Sequence, residues 1–209
     1  MKNEKVKRVV TIGMLAALAY IVMVFIKIPV FSFLKYEPKD VVIVIGGFIF
    51  GPSAAFVISL IVSIIEMFTV SDTGWIGAVM NLVSSCAFAC TAAIVYRIQR
   101  TRKSALSGLM LGVFCMTAMM MLWNYLLTPI YMGYPIEAVV AMLPTIFLPF
   151  NLLKGGINAI VAFFLYKPVV TGLRKAGLVP LREVTRLDNS QNKVKLAEMA
   201  SAKESRQER

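Results

Sequence analysis

The most informative polar residues of this 209-residue chain interrupt its last long apolar stretch. Asn151, Lys154 and Asn158 are spaced i, i+3 and i+7, so a helix would place all three on one face. Two amides and an ammonium group are suited to recognising a solute through hydrogen bonds. A charged group at the centre of a membrane costs about 2.5–3.5 kcal/mol on insertion scales. We therefore predict that this face points into the protein.

Polar residues also interrupt other apolar stretches. These residues are Asp40, Glu66, Asn81 and Asn124. Each has an ordinary structural explanation: Asp40 as a helix N-cap, Glu66 as an ion-pair partner of Lys154, and the asparagines as contacts between helices. When the chain is laid out across a membrane, however, all four fall in the same half as the polar face of the last helix. We therefore predict one shared pocket, suited to a flat, uncharged, hydrogen-bonding solute.

Several kinds of chemistry are disfavoured by what the sequence lacks. The chain has no histidine, and Cys86, Cys90 and Cys115 lie in apolar runs, so neither a zinc site nor a disulfide framework is predicted. The G-x-x-x-x-G-K-[ST] motif for ATP phosphates is absent, so partners would have to supply any ATP-driven step. An intramembrane enzyme using Asp40 or Glu66 as acid or base is the least favoured interpretation. We predict no catalytic residue, no metal and no cofactor.

Apolar helices must position these residues. Hydrophobic residues make up 58% of the chain and charged residues 16%, whereas roughly a quarter of a soluble domain is charged. The candidate spans are 6–26, 40–50, 53–70, 76–96, 104–127 and 145–167. The second would reach only about 17 Å and must lean on its neighbours, because a full crossing needs about 20 residues. We predict an all-α, multi-pass protein of the cell membrane: a six-transmembrane-helix bundle with a short second helix.

The net charge of +11 carries information about membrane topology. A basic chain can indicate a nucleic-acid partner, but here the excess lies in residues 1–8, 97–103 and 171–209 while the rest is neutral. The positive-inside rule places such segments in the cytoplasm, and six spans put all three there, with the polar pocket in the outer half. We predict no nucleic-acid partner and cytoplasmic termini. Residues 1–170 would form the membrane domain, and 171–209 a mobile basic tail.

The first span carries small residues on one face. Gly13 and Ala17 have the small-x-x-x-small spacing that lets membrane helices approach closely, and no charge occurs from Val9 to Phe25. This spacing could serve packing within the bundle, or it could serve docking of a second membrane protein. Both interpretations stay open at this point.

Three stretches together form a recognisable pattern. They are Asp40 with Phe48-Ile49-Phe50-Gly51-Pro52, Asn124-Tyr125-Leu126-Leu127-Thr128-Pro129-Ile130-Tyr131, and Pro149-Phe150-Asn151-Leu152-Leu153-Lys154-Gly155. In these stretches the sequence resembles the riboflavin-specific substrate-binding (S) components of energy-coupling factor (ECF) vitamin transporters, over about residues 5–170. The resemblance implies a six-helix S component that captures riboflavin from outside. It also implies delivery with a transmembrane coupling subunit of the EcfT type and two ABC ATPase subunits.

The resemblance further implies roles for individual residues. The family's ligand-contacting asparagine falls on Asn124, and its asparagine-x-x-lysine pair falls on Asn151 and Lys154. Its acidic residue after the first outer loop falls on Asp40. The outer segment 27–39 is implied to close over the ligand as a lid.

Two matches depart from the family pattern. The motif with which the family's first helix meets the coupling subunit falls on Gly13 and Ala17, with Gly13 in place of the usual alanine. Glu66 stands where the family is expected to have an amide.

The alternative functions are an S component for another vitamin or a modified nucleobase, and a self-sufficient secondary transporter. The latter should show inverted repeats and broken helices, and no internal repeat is evident in the sequence.

Overall fold

A computed structural model describes residues 2–31, 34–70 and 74–179, together with Asn189, Asn192 and Leu196. The helices are α1 (Lys2–Phe25), α2 (Lys39–Phe50), α3 (Pro52–Thr69), α4 (Gly74–Gln99), α5 (Arg102–Met132), α6 (Ile136–Met142) and α7 (Leu148–Lys175). Strands β1 (Ile28–Phe31) and β2 (Leu34–Tyr36) form an antiparallel hairpin between α1 and α2. In these ranges, five apolar helical segments are long enough to cross a membrane, and α2 is the short sixth. The predicted six-helix bundle is confirmed.

The two ends of the bundle differ in what they contain. At one end, a guanidinium N–H of Arg8 donates to the carbonyl of Phe50 at 3.1 Å, and the Thr11 hydroxyl lies 2.8 Å from the carbonyl of Leu178. The start of α1, the α2–α3 turn and the end of α7 therefore lie together at what we call the terminal end. The β-hairpin lies at the opposite end, which we call the hairpin end. The assignment of the terminal end to the cytoplasm remains a prediction.

The short helix α2 is enclosed by its neighbours. All of its residues except Val42 are buried, and it packs against α1, α3, α4 and α7. Close approach depends on Gly47, where a Cβ would lie 3.0 Å from the Cβ of Ala93 and 3.1 Å from that of Ala55. Because other helices surround α2, it needs no lipid-facing length of its own.

Gly51 and Pro52 form the turn between α2 and α3. Gly51 has φ of 93°, a left-handed conformation that glycine adopts without strain, and its N–H donates to the carbonyl of Gly47 at 2.8 Å. Pro52 opens α3, where its missing N–H would have no helical partner in any case. The chain therefore reverses direction between α2 and α3.

A glycine pair brings α4 and α5 together. A Cβ on Gly108 would lie 2.8 Å from the carbonyl oxygen of Ala92, and one on Gly112 would lie 2.7 Å from that of Phe88. The spacing is the Gly-x-x-x-Gly pattern of closely packed membrane helices, which our sequence analysis did not single out. Contact between the two backbones thus depends on the absence of both side chains.

The sixth crossing is longer than the sequence predicted. The helical segment begins at Ile136 and passes through a π-helical turn at Leu143–Phe147 into α7, which continues to Lys175. The expected outer connection 128–144 is therefore mostly helical, because α5 continues to Met132 despite Pro129. At the other end, α7 takes up the start of the predicted tail 171–209. Apart from the three isolated residues named above, the tail beyond residue 179 lies outside the described residues.

Candidate substrate-binding site

A buried lysine organises the polar groups at the hairpin end. Lys39, the first residue of α2, is fully buried, with its ammonium group 3.0 Å from Glu37 Oε2 and in an ion pair with Glu66. It also lies 3.5 Å from the sulfur of Met23 on α1. A buried cation must be compensated by charge or hydrogen bonds, and the two carboxylates provide this compensation. Lys39 therefore joins the hairpin segment, α1, α2 and α3.

Glu66 belongs to this cluster and not to a pair with Lys154. Its second carboxylate oxygen, Oε1, accepts a hydrogen bond from the side-chain amide of Asn81 at 2.7 Å. The alternative explanation of Glu66 as the ion-pair partner of Lys154 is thus not supported, because the first turn of α2 places Lys39 against the last turns of α3. The structure does bring two predicted site residues, Glu66 and Asn81, into direct contact.

Asp40 forms the centre of a second group. Its side chain is fully buried, and Oδ2 lies 3.7 Å from the ammonium nitrogen of Lys154 on α7. Ser85 donates to Oδ1 at 2.5 Å, and the Asn158 amide donates to Oδ2 at 3.4 Å. The explanation of Asp40 as an N-cap is wrong, because it is the second residue of α2 and the helix has no side-chain cap. Asp40 instead connects α2 to α4 and α7.

The two remaining predicted residues, Asn124 and Asn151, are buried but bonded within their own helices. Asn124 Nδ2 donates to the carbonyl of Met120 at 2.7 Å, and Asn151 Nδ2 donates to that of Phe147 at 2.8 Å. The Thr128 hydroxyl also donates to Asn124 Oδ1 at 3.3 Å. A primary amide has two N–H donors and an oxygen with two acceptor positions, so each side chain keeps capacity for a further partner.

A glycine brings the helices that carry these amides together. A Cβ on Gly155 of α7 would lie 2.9 Å from Met116 Cε and 3.0 Å from Val113 Cγ1, both on α5. The contact lies one turn deeper than Asn151. By contrast, a Cβ on neighbouring Gly156 would meet no atom within 4 Å. Only the first of these two glycines is needed for packing within the bundle.

The β-hairpin is tied to both polar groups. The Tyr36 hydroxyl donates to Asn158 Oδ1 at 2.9 Å, and Lys27 lies 3.3 Å from Glu37 Oε1. Burial would raise the pKa of Glu37, but the charges of Lys39, Lys154 and Lys27 outweigh burial and hold it below its ordinary value. For Tyr36, burial and, to a lesser degree, the negative charge of Asp40 raise the pKa to about 12. At neutral pH the hairpin is therefore anchored by an ionised carboxylate and a neutral phenol.

The charges of the described cluster balance. Its cations and anions are Lys27, Lys39 and Lys154, and Glu37, Asp40 and Glu66. Three positive and three negative groups compensate one another, so an uncharged solute can bind without adding an unpaired charge to the site. The side chains offer hydrogen-bond donors and acceptors at fixed positions. The arrangement is suited to binding a solute through hydrogen bonds.

Sequence reasoning did not include Tyr36, Lys27 or Lys39 among the site residues. It placed Lys39 in the outer segment because the helix was expected to begin one residue later. The available signal was the pair of adjacent opposite charges, Lys39 and Asp40, directly before an apolar run. Two adjacent charges at a buried helix start require two separate sets of partners, and the structure provides them.

The small-x-x-x-small pair of α1, Gly13 and Ala17, lies on its outer surface. Gly13 and Ala17 are exposed, and a Cβ on Gly13 would meet nothing within 4 Å. The helix packs into the bundle through a different face, which includes Leu15, Ala16 and Met23. Packing within the bundle therefore does not explain the small-x-x-x-small spacing.

Comparisons with known proteins agree with this architecture. A family model described as ECF transporter, substrate-specific component, matches residues 7–169. The riboflavin transporter RibU of Staphylococcus aureus (strain TCH60) is 31% identical over 179 residues, or 81% of this chain and 93% of that protein. The riboflavin transporter FmnP of Bacillus subtilis (strain 168) is 27% identical over 188 residues, or 82% and 98%.

A solved structure reported as the S component of a bacterial ECF transporter has a similar fold. It aligns with a TM-score of 0.69 at 28% identity, covering 81% of this chain and 98% of that chain. The family match spans the bundle from α1 to α7 and includes every residue of the polar cluster. The chain therefore belongs to the substrate-specific component family of the ECF transporters.

Proposed function

We propose that this chain is the riboflavin-binding S component of an ECF-type, ATP-driven vitamin uptake transporter of the cell membrane. The choice of ligand is supported by the two relatives named riboflavin transporters, which align over 93% and 98% of their lengths. The observation that carries the proposal is the charge-balanced cluster beside two buried amides. Such a site can bind an uncharged, flat solute without leaving a buried charge unpaired.

In the proposed complex, apolar side chains enclose the isoalloxazine ring while Asn124, Asn151 and Lys154 hydrogen-bond its polar edge or the ribityl hydroxyls. The Lys154 ammonium group has three donors, and its 3.7 Å separation from Asp40 is too long for a direct hydrogen bond. It can therefore donate to a ligand while staying in the field of the aspartate. Asn124 and Asn151 contribute the capacity that their bonds within the helix leave unused.

The hairpin is the proposed lid over this site. Its contacts to the helical cluster are the Tyr36–Asn158 hydrogen bond and the Glu37–Lys39 ion pair, at 2.9 and 3.0 Å. Opening would break these two contacts while leaving Asp40 and Lys154 on the helices. Binding and release make and break no covalent bond, so the chain acts as a binding component and not as an enzyme.

Transport is proposed to need three further subunits. An EcfT-type transmembrane coupling subunit would dock on the exposed Gly13 and Ala17 of α1, and two ABC ATPases would hydrolyse ATP on the cytoplasmic side.

The variant Gly13→Leu should no longer co-purify with the coupling subunit. The matched control is Gly172→Leu, because Gly172 is also an open position but lies on α7. This variant should still co-purify with the coupling subunit. Equal co-purification of both variants would contradict docking at Gly13.

Riboflavin titration of the purified chain, followed by quenching of flavin fluorescence, tests the site. Asn151→Ala and Lys154→Ala should each weaken binding by roughly 5- to 150-fold, because an unpaired buried polar group costs about 1–3 kcal/mol. The control is Leu153→Ala, which lies between them on the exposed face of α7 and should bind as the parent does. Unchanged affinity in both test variants would remove this assignment of the site.

Ligand identity and energy source have separate tests. Absorbance and mass of a ligand that co-purifies with the chain would distinguish riboflavin from another vitamin or a modified nucleobase. Uptake by vesicles that contain only this chain, driven by an ion gradient, would support a secondary transporter instead. We expect a bound flavin and no such uptake.

A further inference from the structure

A cavity lies at the terminal end of the bundle, opposite to the polar cluster. It has a volume of about 300 Å³, at the lower end of the range for small-molecule sites, and lies between the last turns of α4 and the first turns of α5. Its lining is Val95, Ile98, Gln99, Lys103, Ser104 and Ser107. The described lining thus combines apolar groups, hydroxyls and one cation, and includes no carboxylate.

The wall of this cavity is fixed, and its mouth is basic. The hydroxyl of Ser104 donates to the carbonyl of Val95 at 2.8 Å and so joins α5 to α4 across the cavity floor. Lys103 is exposed at the rim. A group entering this mouth meets positive charge, which favours an anion.

An apolar stripe continues from the cavity toward the middle of the bundle. Lys103, Ser107, Met110 and Phe114 are spaced i, i+4, i+7 and i+11, so they share one face of α5, and Met110 and Phe114 are 62% and 69% exposed. Eleven residues of helix span about 17 Å, close to half of a hydrocarbon core of roughly 30 Å. The face therefore has a polar, basic end at Lys103 and Ser107 and an apolar part at Met110 and Phe114, and the two together are about one leaflet long.

We propose that this surface binds one anionic phospholipid. Its phosphate lies at Lys103, its headgroup hydroxyls lie in the cavity near Ser107, and one acyl chain follows Met110 and Phe114. A free phosphate would use the cation but not the apolar stripe. A zwitterionic lipid would use the stripe but would gain little from the basic rim. The combination thus selects an anionic lipid, independently of what binds at the hairpin end.

Native mass spectrometry of the delipidated full-length chain tests this site. Dioleoyl phosphatidylglycerol, dioleoyl phosphatidylcholine and glycerol 3-phosphate are added separately to the parent and to Lys103→Gln. The matched control is Lys7→Gln, which removes an exposed lysine of α1 at the same end of the bundle. We expect one tightly retained phosphatidylglycerol on the parent and on Lys7→Gln, and binding weakened about fivefold in Lys103→Gln.

A second variant, Ser107→Trp, keeps the charge but fills the cavity, and it should lose the same adduct. Equal retention of phosphatidylglycerol by the parent and Lys103→Gln would overturn the proposal. Equal retention of phosphatidylcholine and phosphatidylglycerol by the parent would also overturn it. Binding of glycerol 3-phosphate as tight as that of the lipid would show a site for a soluble phosphate instead.

Discussion

Replacement of Lys39 by methionine should destabilise the bundle more than replacement of any exposed lysine. Lys39 is 0% exposed and lies between Glu37 and Glu66, which are 5% and 3% exposed. Removing one partner of a buried ion pair typically costs about 3–5 kcal/mol, because the other charge stays buried without compensation. We expect the cost of one pair and not of two, since Glu37 keeps Lys27 and Glu66 keeps the amide of Asn81.

The assay is thermal unfolding of the ligand-free chain in detergent. If the soluble-domain relation of about 2–4 °C per kcal/mol applies, Lys39→Met should lower the melting temperature by roughly 6–20 °C. The double variant Lys39→Met, Glu66→Gln should recover about half of the loss, because glutamine removes the charge but can still accept from Asn81. Lys7→Met is the control. A change of less than about 2 °C in Lys39→Met, or a double variant no more stable than the single one, would refute the reasoning.

Two further predictions concern packing and pH. Gly112→Ala should lower the melting temperature, because its Cβ would lie 2.7 Å from the carbonyl oxygen of Phe88, whereas Gly156→Ala has open space and should be neutral or slightly stabilising. Equal effects in thermal unfolding would contradict the packing of α4 on α5. Because folding lowers the pKa of Glu37, its ionised carboxylate stabilises the fold at pH values above its ordinary pKa of 4.5. This contribution is lost as the pH falls below 4.5 and through the folded-state pKa. Melting temperatures measured between about pH 6 and pH 3 should fall more steeply for the parent than for Glu37→Gln, and parallel curves would contradict this.

The features of the fold that the sequence predicted are local ones. The Gly51-Pro52 turn follows from the conformational preferences of two adjacent residues, and the six apolar segments follow from composition. The sixth crossing was predicted at 145–167, whereas the helical segment runs from Ile136 to Lys175. In the structure, Pro144 lies in the π-helical turn and Pro149 in the first turn of α7, where proline is tolerated. Which of these positions a proline occupies depends on tertiary packing.

The sequence indicated the end of the bundle at which the polar residues meet but not which of them are partners. Spacing placed Asn151, Lys154 and Asn158 on one face, and the topology placed Glu66 and Asn81 at the same end. Pairing, however, depends on which helices are lateral neighbours, and this arrangement is not encoded in the periodicity of any one helix. The α2 helix lies between α1, α3, α4 and α7, so its first two residues can reach acids, amides and a lysine on different sides.

The observed pairing separates two tasks that the sequence could not distinguish. Glu37, Glu66 and Lys39 compensate one another, and removing any of them should act mainly on stability and on the position of the hairpin. Lys154 lies farther from its aspartate, and among the described residues the hydrogen bonds of Asn124 and Asn151 stay within their own helices. These three side chains have the hydrogen-bonding capacity that a ligand could use, because the acids around them are already compensated. Substitutions at Lys39 should therefore change the melting temperature before they change ligand selectivity, and substitutions at Asn151 should do the reverse.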